Sequence, residues 1–124
     1  MATNIRIVHA HDFLKATPKG LLDFEQSKRL LIEVAAAAAS LAEYEVIVDT
    51  RKAETALSVT ELWYLAAELS KSGEAFSRKT AVLCPLKDFD NAAFFALCAQ
   101  NRGFRVQAFT SFEDAIEWLI ANAS

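Results

Sequence analysis

The feature that most constrains this chain is its alternation of short β-rich runs with longer helical ones, with no repeat, linker or low-complexity stretch between them. Strands joined by helical crossovers of about ten residues or more pair in parallel, and a parallel sheet needs cover on both faces. Residues Ile5 to Ala10 alternate apolar Ile5, Ile7 and Ala10 with Arg6 and His9, the pattern of an edge strand solvated on one face. Tyr44 to Asp49 has the unbroken apolar core Val46-Ile47-Val48, which predicts a central strand. Thr80 to Cys84, stopped by Pro85, and Phe104 to Phe109 complete a set of four. A further short strand around Phe13 to Ala16 stays open, and Thr17-Pro18-Lys19-Gly20 reads as a turn.

Helix starts are marked by side chains that can accept a hydrogen bond from the first free N–H groups. Asp23 with Gln26 opens a helix to about Ala42, whose stripe is Ser27, Leu31, Val34, Ala35, Ala38, Leu41 and Ala42. Ser58 with Glu61 opens a second, with Val59, Leu62, Trp63, Ala66 and Leu69 inward and Gly73 as its stop. Asp88 or Asp90 caps a third that reaches about Arg102, and Ser111 with Asp114 opens a fourth with Phe112, Ala115, Ile116 and Leu119 inward. The expectation is one α/β domain over residues 1–124: a small, mostly parallel sheet of four or five strands with helices on both faces.

Composition then removes function classes. Apolar residues make up 53% of 124, with only 3 Gly and 2 Pro, so the chain can bury a core without disulfides or a structural metal. Thirteen Lys and Arg against 16 Asp and Glu leave a net charge of -3 and no basic footprint for a nucleic acid. Cys84 and Cys98 stand 14 apart in apolar surroundings without a CxxC pair, which predicts buried reduced thiols, no zinc and a cytoplasmic location. The first 25 residues are interrupted by charge and the longest apolar run, Val34 to Ala39, is far too short to span a bilayer, so neither a secretion signal nor a membrane span is expected.

In open α/β sheets ligands sit at the carboxyl ends of the strands, which directs attention to His9, His11 and Asp12, Asp49 to Lys52, Cys84 to Lys87, and Thr110. A thiol hydrolase would use Cys84, His9 or His11 and Asp49, but no glycine builds an elbow at Cys84 and Pro85 lacks the N–H an oxyanion hole needs. A phospho-acceptor role for Asp49 lacks the acidic pair and the lysine that would hold magnesium and phosphate, so Asp49 is expected to bond the loop backbone and pair with Arg51. Three isolated glycines exclude a phosphate cradle, and two histidines without a third ligand do not make a metal site. The helix from 88 to 102 is apolar on two stripes, Phe94, Leu97 and Cys98 on one and Ala92, Phe95, Ala96 and Ala99 on the other. It needs a second partner: a neighbouring helix, a dimer mate or an apolar ligand.

The ordered set of a VIVD strand, a Ser-capped helix with Leu62-Trp63, an AVLCP strand, a Phe-rich helix ending NRGF and a closing SFEDAIEWL helix resembles the STAS fold. That is the architecture of bacterial anti-sigma-factor antagonists and their SpoIIAA-like relatives. The resemblance implies a non-enzymatic regulatory module without cofactor, acting on a protein partner such as a kinase or an anti-sigma-like protein, or as a homodimer. It also implies a phospho-acceptor at Ser58, although Leu57-Ser58-Val59-Thr60 has no preceding aspartate, no paired serine and no glycine, and Glu61 would oppose an added dianion. The surface this singles out comprises Asp49, Arg51, Trp63, Phe94 and Phe95. A second reading is a carrier of an apolar small molecule or lipid, with Trp63, Phe89, Phe94, Phe95 and Phe104 lining the pocket; the cysteine-dependent enzyme is a third.

Overall fold

The structure is a computed structural model that describes residues 4–10, 13–41 and 44–121, with the backbone alone for His9 and Ala10. Six strands, β1 (Asn4–Ala10), β2 (Phe13–Leu22), β3 (Glu45–Asp49), β4 (Ala53–Thr55), β5 (Thr80–Leu83) and β6 (Val106–Phe109), form one sheet in the order β1-β2-β3-β5-β6, with β4 beside the second half of β2. The helices are α1 (Phe24–Ala38), α2 (Val59–Glu68), α3 (Phe89–Gln100) and α4 (Phe112–Ile120). The β1/β2 pair is antiparallel and every other pairing is parallel. The central place of β3 follows from its composition, since Val46, Ile47 and Val48 are all buried and side chains alternate between two covered faces.

Both faces are covered, but unequally. Leu14, Ala16, Val46, Val48 and Val106 pack against Leu30, Val34, Leu62, Ala66, Phe95 and Ala99 of α1, α2 and α3. On the other face Ile47, Ala81, Leu83 and Phe109 meet one helix, α4, through buried Ala115 and Leu119 and partly buried Ile116 and Trp118, with Phe13 of β2 beside them. The buried Lys79 ties α4 down, its Nζ donating to Trp118 O at 2.8 Å and to Ala121 O at 2.7 Å at the helix's carbonyl end.

The expected turn at Thr17-Pro18-Lys19-Gly20 is strand instead, and the strand left open around Phe13 is ten residues long. On one side β2 leaves β3 after Ala16↔Val48 and meets β4 from Gly20↔Ala53, so Pro18 falls in the gap between partners, where a missing N–H is tolerated. Its ring is fully buried, and Gly20 at φ +96° redirects the strand toward β4.

Helix faces also differ from expectation. On α2 the buried arc is Leu62, Leu65, Ala66 and Leu69, which places Val59 and Trp63 a quarter-turn off it and in solvent. Leu30 joins the α1 stripe, which ends at Ala38, and Ala42 lies outside the described residues. Cys98 is buried with Phe95, Ala96 and Ala99 while Leu97 stays exposed, so the two expected α3 stripes are divided differently. Phe112 is partly exposed under the Lys15 ammonium, 5.4 Å from the ring centroid. Asp88 occupies the α3 N-cap position without a side-chain cap bond, because its φ of -103° and ψ of 3° are not the extended conformation a cap requires.

Replacing Lys79 by methionine keeps the aliphatic packing and removes both donors to the α4 end. The expected loss is about 1–3 kcal/mol for carbonyls left unpaired, read from urea denaturation, with an unchanged midpoint as the contrary result.

Candidate functional site

The parallel strands bring Asp49, Cys84 and Thr110 to one end of the sheet, as expected, but not the histidines. β1 is antiparallel, so its carboxyl end at Ala10 lies beside Phe13 and hence Glu45, at the opposite end from Asp49. That corrects the grouping of His9 with Asp49 and Cys84; the His9 side chain, His11 and Asp12 lie outside the described residues. Cys84 is itself buried, its Sγ 3.6 Å from Phe109 O, and burial first, then the charge of Asp88, pushes its thiol up to about 11. So raised, the thiol holds little thiolate, the attacking form, at neutral pH.

Asp49 is the buried polar centre of this end. Its carboxylate accepts Arg51 Nε at 3.0 Å, Arg51 Nη2 at 2.9 Å and the Arg51 backbone N–H at 3.1 Å, with Lys15 Nζ at 3.8 Å. Burial pushes the carboxyl up, and the hydrogen bonds and charge of Arg51, aided by Lys15, outweigh it, so its pKa lies below the ordinary aspartate value. Every near donor is thus committed to holding the loop. Thr50 continues the anchoring, donating from its N–H at 2.8 Å and its Oγ1 at 3.2 Å to Leu83 O.

From this anchored turn the chain passes through β4 to Ser58, the exposed N-cap of α2. A full capping box is present: Glu61 N–H donates to Ser58 Oγ at 3.1 Å, and Ser58 N–H donates to Glu61 Oε1 at 2.9 Å. The outward face that follows is apolar. Val59 is 61% exposed, Trp63 48% and Tyr64 53%, the two rings meeting edge to face at 5.1 Å. The Arg102 guanidinium lies 4.9 Å from the Trp63 centroid, and half-buried Phe94 and exposed Leu97 continue the patch onto α3. Tyr64 is the member that sequence reasoning missed; the shifted arc of α2 is what exposes it.

Under α2 and α3 lies an apolar cavity of about 100 Å³, walled by Leu22, Leu30, Val48, Leu62, Phe95 and Val106. Half-buried Thr55 and Asp88 and exposed Asn91 form its rim beside the strand ends. Of the five aromatics expected around a pocket only Phe95 reaches it, joined by Phe76; Trp63, Phe94 and Phe104 face shallow surface grooves. Among the described residues no three ligating side chains could hold a metal ion, and no helix is long and apolar enough to cross a membrane.

No protein family and no curated protein matches the chain by sequence. Its structure is similar to that of an uncharacterised DUF3478-family protein with a SpoIIAA-like fold from Shewanella loihica, at 22% identity and TM-score 0.57, covering 94% of this chain and 93% of that one. It is similar to an anti-sigma factor antagonist from Mycobacterium paratuberculosis at 16% identity and TM-score 0.64, over 97% and 96% of the two chains. SpoIIAA in its unphosphorylated form matches at 13% identity and TM-score 0.56, over 96% and 100%. At these identities the likeness is one of fold: the chain has the SpoIIAA-like, or STAS, fold.

Removing the Arg51 guanidinium by Arg51→Ala leaves the buried Asp49 carboxylate with the backbone N–H at position 51 and Lys15 as its partners, at an expected cost of about 1–3 kcal/mol near neutral pH. Because the folded pKa of Asp49 is lowered, the pair's stabilisation is present above the free value of about 3.9 and is lost as pH falls through the folded pKa. Urea denaturation near pH 7 and near pH 3 tests this: the gap between wild type and variant narrows at the acid end, and an equal gap at both contradicts it.

Proposed function

We propose that this chain is a non-enzymatic regulatory module that binds another protein through α2 and the loop leading to it, in the cytoplasm, and that Ser58 is its phospho-acceptor. The observation that carries the reading is the exposed pair Trp63 and Tyr64, one turn beyond an exposed Ser58. Aromatic side chains beside an arginine are the composition of binding hot spots, and Arg102 lies over Trp63. Two of the structural neighbours are anti-sigma factor antagonists, which suggests a partner of the anti-sigma type and a kinase acting on Ser58. A phosphate there would meet the free N–H groups and dipole of the α2 N-terminus, displace the Glu61 carboxylate from its bond to Ser58 N–H, and put a dianion at the edge of the apolar patch. The buried free thiols Cys84 and Cys98 suit a reducing compartment.

The test compares proteins retained from a cell extract by the immobilised chain. A partner retained by wild type and by an Ile32→Ala control on exposed α1 surface, and lost with Trp63→Ala and with Ser58→Asp, supports the reading. Identical retained sets for all four overturn it. Ser58→Ala separates switch from cap: losing the cap costs about 1 kcal/mol, and the switch reading requires in addition that a kinase-treated wild type lose its partner while the alanine variant keeps it.

The apolar cavity favours a second reading, a small apolar ligand held between the sheet and α1 to α3. Cavities of this order of size, about 150 Å³ when engineered into a core, take up benzene-sized molecules. The expectation is a stoichiometric extra mass in a native mass spectrum of the freshly purified protein, or a rise in Tm with toluene that Ala92→Leu abolishes by filling the space. Neither effect would leave the cavity a packing void.

A further inference from the structure

Helix α4 covers only part of its sheet face. It packs on β5 and β6; beside it on β2, Phe13 packs against the same core and half-buried Lys15 lies over the Phe112 ring, and the surface opens at Arg6, Val8 and Lys19. The register Asn4↔Lys19, Arg6↔Thr17 and Val8↔Lys15 puts Arg6 diagonal to both Lys15 and Lys19, about 7–8 Å away on one surface. Arg6 and Lys19 are exposed, Val8 is 41% exposed, and β1 and β2 contribute no acidic residue to that surface among the described residues. Of the acids next to it on β3 and β4, Asp49 is already held by Arg51 and Lys15, Glu45 lies beside Phe13 with Oε2 buried, and exposed Glu54 flanks the Lys19 end beside Leu21. A chain of net charge -3 thus carries an exposed pair of cations, Arg6 and Lys19, on a ledge one helix layer below the crest of α4.

The crest has the opposite character. Glu113, Glu117 and Ile120 recur at helical spacing on the side of α4 away from Ala115 and Leu119, all exposed, with Ile120 at 63%. The helix dipole accounts for Glu113, in the first turn of α4, but not for the rest of the stripe. Glu113 and Glu117 stand four apart and repel each other, Glu117 lies toward the carbonyl end of the helix where the dipole disfavours an anion, and the last turn carries no basic residue. Neither glutamate has an ion-pair partner among the described residues.

We propose that two copies of this chain pair face to face about a two-fold axis beside α4, the crest of each lying in the cationic ledge of the other. A second copy is the occupant that the charges select, because ledge and crest are adjacent on one sheet face and have opposite sign. One two-fold axis therefore satisfies both at once, as an isologous interface requires. The depth agrees as well: α4 stands about 10 Å above the sheet, the height of the step it fills. Ile120 then meets Val8, and Glu113 and Glu117 meet Arg6 and Lys19. The pairing leaves α2 and its aromatic patch uncovered on the opposite face, so it is independent of the proposed partner surface there.

Sedimentation equilibrium of the full chain tests the pairing. The expected result is a dimer that weakens as salt is raised, since its charge pairs are screened. Reversal of the crest by Glu113→Arg with Glu117→Arg, or of the ledge by Arg6→Glu with Lys19→Glu, raises the dissociation constant about tenfold or more, and the four changes together restore it. Circular dichroism confirms that each variant is folded, and the fourfold variant rescues the conclusion if a pair perturbs folding. A monomer at every concentration, or a dimer indifferent to both reversals, overturns the proposal; a dimer lost with Trp63→Ala instead assigns pairing to α2.

Discussion

A carboxylate buried at the end of the central strand has to be neutralised, and much of the upper end of this molecule follows from how Asp49 achieves it. The guanidinium that meets both of its oxygens comes from two residues further along the chain, so the chain must turn at once after β3. Thr50, bonded twice to Leu83 O, fixes the start of that turn against β5, and Ala53 N–H closes it on Thr50 O at 3.0 Å. The turn returns the chain to the far half of β2 as β4, and from there Ala56 N–H donates to Leu22 O at 2.9 Å. Ser58 and the start of α2 are therefore held by a rigid series of bonds that begins in the sheet. An ion pair of this kind sets geometry more than it adds stability, because the desolvation of the carboxylate offsets much of the attraction.

What was legible in the sequence was whatever depends on neighbours a few residues away. The three caps at Asp23, Ser58 and Ser111 all accept the N–H three residues on, as the residue types require. The Asp49–Arg51 pair was legible for the same reason, as was the unbroken apolar run that marks β3 as central. The misread positions depend on partners distant in the chain. Pro18 and Gly20 are turn formers in isolation, yet the β3-to-β4 exchange along β2 gives each a role inside a strand. His9 could not be placed because the direction of β1 is set by its pairing, and a strand carries no mark of its own direction.

The helices show the same division at finer scale. Apolar residues on α2 span more than one face, and periodicity alone admitted both the arc with Val59 and Trp63 and the arc with Leu62, Leu65, Ala66 and Leu69. Packing on α3 selects the second, so the large side chains left outside are a consequence of tertiary contact. A helix that could have buried Trp63 and does not is more informative about binding than one with a lone surface aromatic. The cavity was equally hidden from the sequence, since its walls are ordinary core residues whose failure to close completely is a matter of packing geometry.

The unequal cover of the sheet ties these features together. With α1, α2 and α3 on one face, the apolar supply of the chain is spent there, and the other face has α4 alone over β5 and β6. The half on β1 and β2 that α4 leaves open is kept polar by Arg6 and Lys19, which suits an edge that must not pair indiscriminately. Charge on that ledge and charge on the crest of α4 also make the face selective, because any partner seated there must carry the complement of both. A surface that is polar, stepped and two-signed on one face, and aromatic on the other, divides pairing from partner recognition: a contact on the stepped face leaves Trp63 and Tyr64 free. In a pair joined at the stepped face, two aromatic patches would face outward, and a partner with two binding sites would hold both through effective concentration without any stronger single contact.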